Sequence, residues 1–516
     1  MRIRTLVLIV LLRGPGVALS GQTPRSAYEE LQNFSGVLNY IRLNYPDSVS
    51  YSDLVTAAIR GMLRSLDPHS YYVSRAGLRT RDALDRGELF GVGLALEAVD
   101  DAATVLAVLP KSAADKAGIL PGDRVVRLND TSVAGLDMQT LQIRLAGPKG
   151  SKVRLQLERG SRLEPDTFSV TLKRDPFEMR AVSFVRMLDA QTGYLRLEEF
   201  TEKAGDQVHD ALGRLRDMQA QRVILDLRGN PGGIITSAVD VASEFFPKNT
   251  VVFRTRGRRR EADTTFTTKH NGSFSDLPLI VLVDERSASA AEALSGSLQD
   301  HDRALLVGRR TFGKALMQTV FLLPSGDNVW LTIGHVVTPN GRFIQRRYRG
   351  IGYEQYLSYA GTSGAQEDTT AVFKTDNGRP VRGGGGIVPD VYVPLSAPLP
   401  IWWSAAADSG FDDAVSDSVA HTLPQTPAAR MAWLMAEQDW RAKLLPPFLA
   451  RVRSRLGVAA PTDSLLAKRL SRTLAARVAE VRWGSDAWEE FLVRNDPTIR
   501  VALDQFPRLN ALLSPK

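Results

Sequence analysis

Two runs constrain this chain more than any others. Arg222-Val-Ile-Leu-Asp226-Leu227 and Leu279-Ile-Val-Leu-Val283 are apolar without alternation. A strand with one wet face alternates polar and apolar residues, so such runs read as buried strands. Around them, Gly193 to Leu197 reads as a further strand, and Ala204 to Met218 and Ile235 to Phe246 as helices. Strands alternating with helices from Phe177 to about Pro394 point to an α/β core.

The rest of the 516 residues changes character several times, as expected of three or four domains. From Ala27 to Leu66, apolar positions such as Leu31, Phe34, Val37, Leu38 and Ile41 recur at helical spacing and predict a helical hairpin. Asp67-Pro68-His69-Ser70 stops it, because proline disfavours helix at the preceding residue. From Gly87 to about Arg174, short β runs alternate with turns and predict one compact domain, with short helices at Ser112 to Ala117 and Leu136 to Leu145. The insert from Tyr348 to Gly386 is polar and glycine-rich, which predicts a surface excursion. Beyond Pro400 the chain reads as helical. There Leu466, Leu470, Leu474, Val478 and Val481 form a stripe at helical spacing, a packing face by composition.

The first twenty residues carry Arg2 and Arg4, an apolar run from Leu6 to Leu12, and small residues at Ala18 and Ser20. They resemble a secretory signal peptide cleaved near Gly21; because Arg13 interrupts the apolar run, an uncleaved short anchor is the alternative. The expected location is the periplasm or cell envelope. The absence of cysteine excludes disulfides, thiol catalysis and cysteine zinc sites. The net charge of +8 is spread along the chain, and its densest run, Arg254 to Arg260, is followed by Glu261 and Asp263. No aromatic residues interleave with these arginines, so the run reads as a solvated hairpin and no nucleic-acid partner is expected.

Chemistry concentrates in three segments. Ser289 follows the second buried strand and opens an alanine-rich helix, where free N–H groups can hold an oxyanion; serine there is also a common helix cap. Asp226-Leu-Arg-Gly-Asn-Pro-Gly232-Gly233 ends the first buried strand, and its glycines allow close approach of backbone to a carbonyl, or simply a tight turn. Lys314, 25 positions after Ser289, sits in Gly308-Arg-Arg-Thr-Phe-Gly313-Lys314. That matches a phosphate loop up to the lysine, but Ala315 replaces the magnesium-binding Ser or Thr and a strand follows instead of a helix. A lysine can take a serine proton once its pKa falls from ~10.4 towards ~7–8. The six histidines are scattered and none sits in a nucleophile or zinc motif.

Together, Gly193-Tyr-Leu-Arg-Leu, the Asp226 to Gly233 turn, the Ser289 segment and Thr311-Phe-Gly-Lys314 with Gln318 resemble the carboxyl-terminal processing proteases, the tail-specific S41 peptidases. Leu63-Arg-Ser-Leu-Asp67-Pro-His-Ser70 and Phe90-Gly-Val-Gly93 resemble the family's approach to its PDZ domain. The resemblance spans roughly residues 27 to 394. It implies an α/β multidomain protein: a ClpP/crotonase-like core over 176–395, a PDZ domain over 87–175, an N-terminal helical segment over 21–86 and a C-terminal helical extension over 396–516. It further implies Ser289 as nucleophile, Lys314 as general base, Gln318 as the residue orienting the lysine, and the N–H groups of Ala290 and of Gly232 or Gly233, with Gly232 preferred, as the oxyanion hole. The backbone of Phe90, Gly91, Val92, Gly93 and Leu94 would receive a substrate's C-terminal carboxylate. Ala291 stands where many relatives have a second serine. The expected activity is serine endopeptidase action on proteins with accessible C-terminal tails, with no cofactor or metal, and with switching between resting and active arrangements. The helical extension could mediate dimerisation, bind an adaptor or cap the core. The rival from another class is an inactive PDZ-containing scaffold, which would bind tails without turnover.

Overall fold

In this computed structural model the described residues are 26–73, 75, 88–99, 102–108, 112–119, 123–134, 136, 141, 144–159, 166–178, 181–351, 356, 371–395, 399–458 and 463–513. The signal segment expected over residues 1–20 lies outside them, as does most of the helix expected at Leu136 to Leu145. Two helices, Ala27–Asn44 and Tyr51–Leu66, follow from the helical spacing at the N-terminus. A capping box starts the first: Ser26 N–H donates to the Glu29 carboxylate at 2.7 Å, and Glu29 N–H to the Ser26 hydroxyl at 3.3 Å. No described helix is long and apolar enough to cross a membrane.

The β-rich stretch forms an antiparallel sheet in the order Leu94–Val99, Ala102–Val108, Arg124–Leu128, Lys152–Arg159, Asp166–Lys173. Alternation along Lys152–Arg159 turns Val153, Leu155 and Leu157 inward, where they join Val105, Ile119 and Val125 in one apolar cluster. The short helix Ala113–Lys116 is capped by Ser112.

The larger sheet runs Val182–Met187, Thr192–Leu197, Arg222–Asp226, Leu279–Val283, Leu305–Gly308, Val391–Tyr392. Its first two strands are antiparallel and every later pairing is parallel. Val223, Leu225, Val281 and Val283 pack in the cluster that holds the helices Ala204–Asp217, Ile235–Ser243 and Ala290–Asp300. Ile224, Ile280 and Leu282 point the other way and meet Ile499, Ala502 and Phe506 of the last helix, Pro497–Leu513. Burial on both faces is the physical reason that these runs do not alternate.

Of the roles left open for the extension past residue 395, capping the core is one that its last helix fulfils, as the second cover of the core sheet. The preceding helices pack around Trp433, Trp440, Phe448 and Phe491 together with Leu474 and Val478 of the apolar stripe. In the Tyr348 to Gly386 insert, the described part from residue 371 is a hairpin of Val372–Lys374 with Pro380–Arg382. It is no free excursion: Arg379 pairs with Asp302 and with Asp390, each at 2.6 Å. Arg254 to Arg260 does lie on a hairpin: Arg254 and Arg256 are in the strand Val251–Gly257, which pairs with Thr264–Thr267, and Arg258, Arg259 and Arg260 are exposed in the connection between them.

One buried ion pair fixes the far end of the helix that Ser289 opens. Arg342, wholly buried, pairs with Asp300 at 2.5 Å and donates to the Gln299 side chain at 3.0 Å. Removing one partner of such a pair strands a charge in a dry interior. Asp300→Ala is therefore expected to lower unfolding free energy in urea by ~3–5 kcal/mol. A loss no larger than that of an ordinary surface substitution, about 0.5 kcal/mol, would show that the pair does not anchor this helix.

Candidate active site

Three parallel neighbours deliver the three chemistry-bearing segments to one edge of the sheet. Asp226 lies opposite Leu282, and Val283 opposite Gly308, so the strands end side by side. In open α/β sheets, ligands are bound at the carboxyl ends of the strands. The loops are laced together there: Gly229 N–H donates to Asp284 at 2.9 Å, Ala288 N–H to the Asn230 carbonyl at 2.9 Å, and Phe312 N–H to the Ser287 carbonyl at 2.9 Å. Asp226 anchors the glycine turn from below. Burial would push its carboxyl up, but the Arg228 guanidinium beside it holds it below the usual carboxylate range. Arg228 also pairs with Asp496 at 2.8 Å, which ties the turn to the C-terminal helices.

Ser289 occupies a sharp strand-to-helix turn at φ 55°, ψ −114°. A non-glycine residue there is strained by ~1–3 kcal/mol, and such strain persists only where the surroundings impose it. It holds the half-buried side chain at the head of the helix, as nucleophile turns do in hydrolases. Gly232 abuts it: a Cβ on Gly232, at φ +102°, would stand 2.7 Å from the Ala288 carbonyl and 2.7 Å from Ser289 Cβ. Only glycine fits so close an approach. The Gly232 N–H donates to the Asn230 side-chain oxygen at 2.8 Å. Ala290, fully buried, is the first residue of the helix, where backbone N–H groups lack intrahelical acceptors.

Ser289 and Lys314 line the same small cavity, about 10 Å³, with apolar walls that include Ile235, Phe253, Leu316 and Val336. That is room for about one water-sized group. The segments carrying the two residues are clamped by Glu292, a wholly buried carboxylate. One oxygen accepts from Ser289 N–H at 2.9 Å and Lys314 N–H at 2.8 Å; the other accepts from Gly313 N–H at 2.7 Å and the Thr311 hydroxyl at 2.6 Å. Burial raises its pKa to about 7 against these four donors.

Gln318 lies on the strand that follows, Leu316–Leu322, and its amide NH2 donates to the His69 carbonyl. That bond fixes which way the amide faces and leaves its oxygen as an acceptor. His69 itself is held by Asp67, which accepts its N–H at 2.8 Å, and by the Tyr356 hydroxyl, 2.7 Å from Nε2. Burial and then the charge of Lys314 depress the His69 pKa to about 3, so the ring is neutral at ordinary pH. Sequence reasoning gave no role to His69, Tyr356 or Glu292. The Asp67-Pro-His-Ser turn was legible as a helix stop, with no sign of a link to Gln318, but Ser289-Ala-Ala-Glu292 has the spacing of a capping box and could have flagged the glutamate.

The positions from Phe90 to Leu94 form a separate strand–turn–strand. Glu88–Gly91 pairs antiparallel with Asp175–Glu178, Gly93 turns at φ 82°, and Leu94 starts the next strand. The Val92 carbonyl accepts the Ala114 N–H at 2.9 Å, joining this turn to the short helix. Among the described residues, no group of three or more His, Asp or Glu side chains could hold a metal ion.

The Glu292 geometry predicts a pH signature. Between its ordinary 4.5 and about 7, the folded state holds a proton that the unfolded state has lost, so this group's contribution to stability falls as pH rises through that window. His69 acts oppositely: between about 3 and 6.5 the unfolded state binds the extra proton, so stability falls as pH drops. Glu292→Gln removes the first contribution alone. Relative to this variant, wild type should lose stability from pH 5 to pH 8 in urea melts, by at most about 1.4 kcal/mol per pH unit. A wild-type advantage that grows with pH would show that the four donors outweigh burial.

The chain is similar to several known proteins. The sequence profile of peptidase family S41 matches residues 191–355, and that of the PDZ domain residues 104–159. A carboxy-terminal-processing protease of Bartonella bacilliformis is 30% identical over 368 residues, covering 68% of this chain and 82% of that protein. A carboxyl-terminal-processing protease of Synechocystis is 33% identical over 293 residues, 56% of this chain and 68% of that one. Among solved structures, a photosystem II D1 C-terminal processing protease is 25% identical at a TM-score of 0.44, covering 72% of this chain and 88% of that one. With a relative at this identity matched over most of its length, the chain belongs to peptidase family S41, the carboxy-terminal processing serine proteases, and it carries a PDZ domain.

Proposed function

We propose that this protein is an exported endopeptidase in which Ser289 and Lys314 form the catalytic dyad and the PDZ domain captures the C-terminal tail of the substrate. The observation that carries the dyad is the cavity lined by both side chains, with both backbones held by one buried carboxylate. Lys314, as the free amine, takes the Ser289 hydroxyl proton while Oγ attacks the scissile carbonyl carbon. The resulting oxyanion is held by the Ala290 and Gly232 N–H groups. Collapse expels the amine, which takes the proton from the Lys314 ammonium and leaves an acyl-serine ester. Lys314 then deprotonates water for attack on the ester, and the acid product leaves with Ser289 restored. Gln318, its NH2 fixed on the His69 carbonyl, presents its amide oxygen to orient the lysine.

The Gly232 N–H is bonded to Asn230 in this structure, so the oxyanion must displace that bond. We read this as a resting arrangement that tail docking releases, consistent with gating by substrate-induced closure. The docking element is the Phe90–Leu94 turn, where backbone groups take the terminal carboxylate and the peptide adds as a strand. The domain limits follow the sequence reading: PDZ over 87–175, protease core over 176–395, and a helical extension that could also serve a homodimer or an adaptor. Export rests on the charged and apolar pattern of residues 1–20.

Ser289→Ala and Lys314→Ala should each lower cleavage of an unstructured reporter by at least about 10³-fold with unchanged circular dichroism. Full activity in either would remove the dyad. Mass spectrometry of products from one peptide with a free and with an amidated C-terminus tests the docking step. Cleavage should favour the free carboxylate, and equal rates would discard that part.

A further inference from the structure

Far along the chain from the Ser289 segment, a second and much larger cavity, about 780 Å³, opens between the edge of the core sheet and the C-terminal helices. Its size is that of a built ligand site. One wall is Val393 to Leu395, which continues directly from Val391–Tyr392, the edge strand of the sheet. The others come from the helices Glu437–Leu456 and Ser464–Trp483 and the start of Pro497–Leu513.

Its charge is one-sided. Among the described residues lining it are Arg441, Lys468, Arg469, Arg472 and Arg500, against only Glu437 and Asp463 as carboxylates. Both carboxylates are already engaged. Glu437 pairs with Lys468 at 2.7 Å and Arg500 at 3.3 Å, and Asp463 caps its helix by accepting the Leu465 N–H at 2.8 Å. Arg441 and Arg472 form no ion pair among the described residues; Arg472 donates to the Asn495 carbonyl at 3.1 Å. Burial holds the Arg472 pKa below the usual arginine range, and the charges of Arg469 and Arg500 push it the same way, although Asp496 and Glu437 oppose them. An incoming anion would relieve that crowding. Apolar surface stands beside the charge: Leu395 is 67% and Leu465 76% exposed.

We infer that this cavity is a second peptide site, which takes an acidic segment of a partner protein. The partner's carboxylates meet Arg441, Arg469 and Arg472, and its apolar side chains cover Leu395 and Leu465. The fixed cations supply register and discrimination against basic segments.

The test is fluorescence anisotropy on the full chain carrying Ser289→Ala, with a dye-labelled, C-terminally amidated peptide of alternating Glu and Leu as probe. Saturable binding is expected, and it should weaken at least about tenfold when Arg441→Glu and Arg469→Glu are combined. The paired lysine substitutions should retain it. Arg258→Glu with Arg259→Glu, on the exposed hairpin, controls for net charge and should leave it unchanged. Leu465→Ser, at an exposed position, should weaken it without risk to folding. The site is refuted if the hairpin reversal weakens binding as much as the cavity reversal, or if a Lys–Leu peptide binds equally well. It is also refuted if the chain binds vesicles of anionic phospholipid through these arginines but not the Glu–Leu peptide.

Discussion

The carboxylate of Glu292 is the constraint on which the site depends. Ser289 and Lys314 arrive on different loops after different strands, joined nearby by the bond from the Phe312 N–H to the Ser287 carbonyl. Glu292 accepts from both backbones through the same oxygen, and its other oxygen takes the Gly313 N–H and the Thr311 hydroxyl. Four donors on one wholly buried group make the arrangement of the two loops nearly all-or-none. To lose one bond is to leave a polar group unsatisfied in a dry interior, which costs ~1–3 kcal/mol. The same clamp helps to impose the strained backbone of Ser289.

That clamp works because the sheet beneath it is rigid. Parallel strands need both faces covered, and the two covers come from distant parts of the chain. Helices between the strands supply one, and Pro497–Leu513 supplies the other. Arg228 joins the two layers at the site itself by pairing with Asp226 on the sheet and Asp496 at the head of that last helix. Stability of the helical extension and geometry of the glycine turn are therefore coupled through one guanidinium. The cationic cavity lies on this same seam, bordered by Pro497 and Arg500, so whatever fills it presses on the element that covers the core.

His69 shows how a residue without a motif of its own can belong to a site. Its backbone carbonyl, not its ring, sets the Gln318 amide, while its neutral ring rests on Tyr356. Burial, and then the charge of Lys314, hold its pKa at about 3, so the ring is neutral at ordinary pH.

The sequence by itself determined the α/β core, because short apolar runs that end in turns and alternate with helical segments fit strands buried on both faces. It also determined the β-rich domain, from short β runs punctuated by turns, and the motifs of the site, because turn glycines and a serine opening a helix depend on local backbone geometry alone. Only the tertiary structure decided that Glu292 clamps two loops, that the last helix closes the core, and that Arg379 pins the insert. Each of these rests on contacts between residues far apart in the chain. Periodicity reports which face of an element is apolar, but it carries no information on which distant partner meets that face or which buried donors one carboxylate will gather.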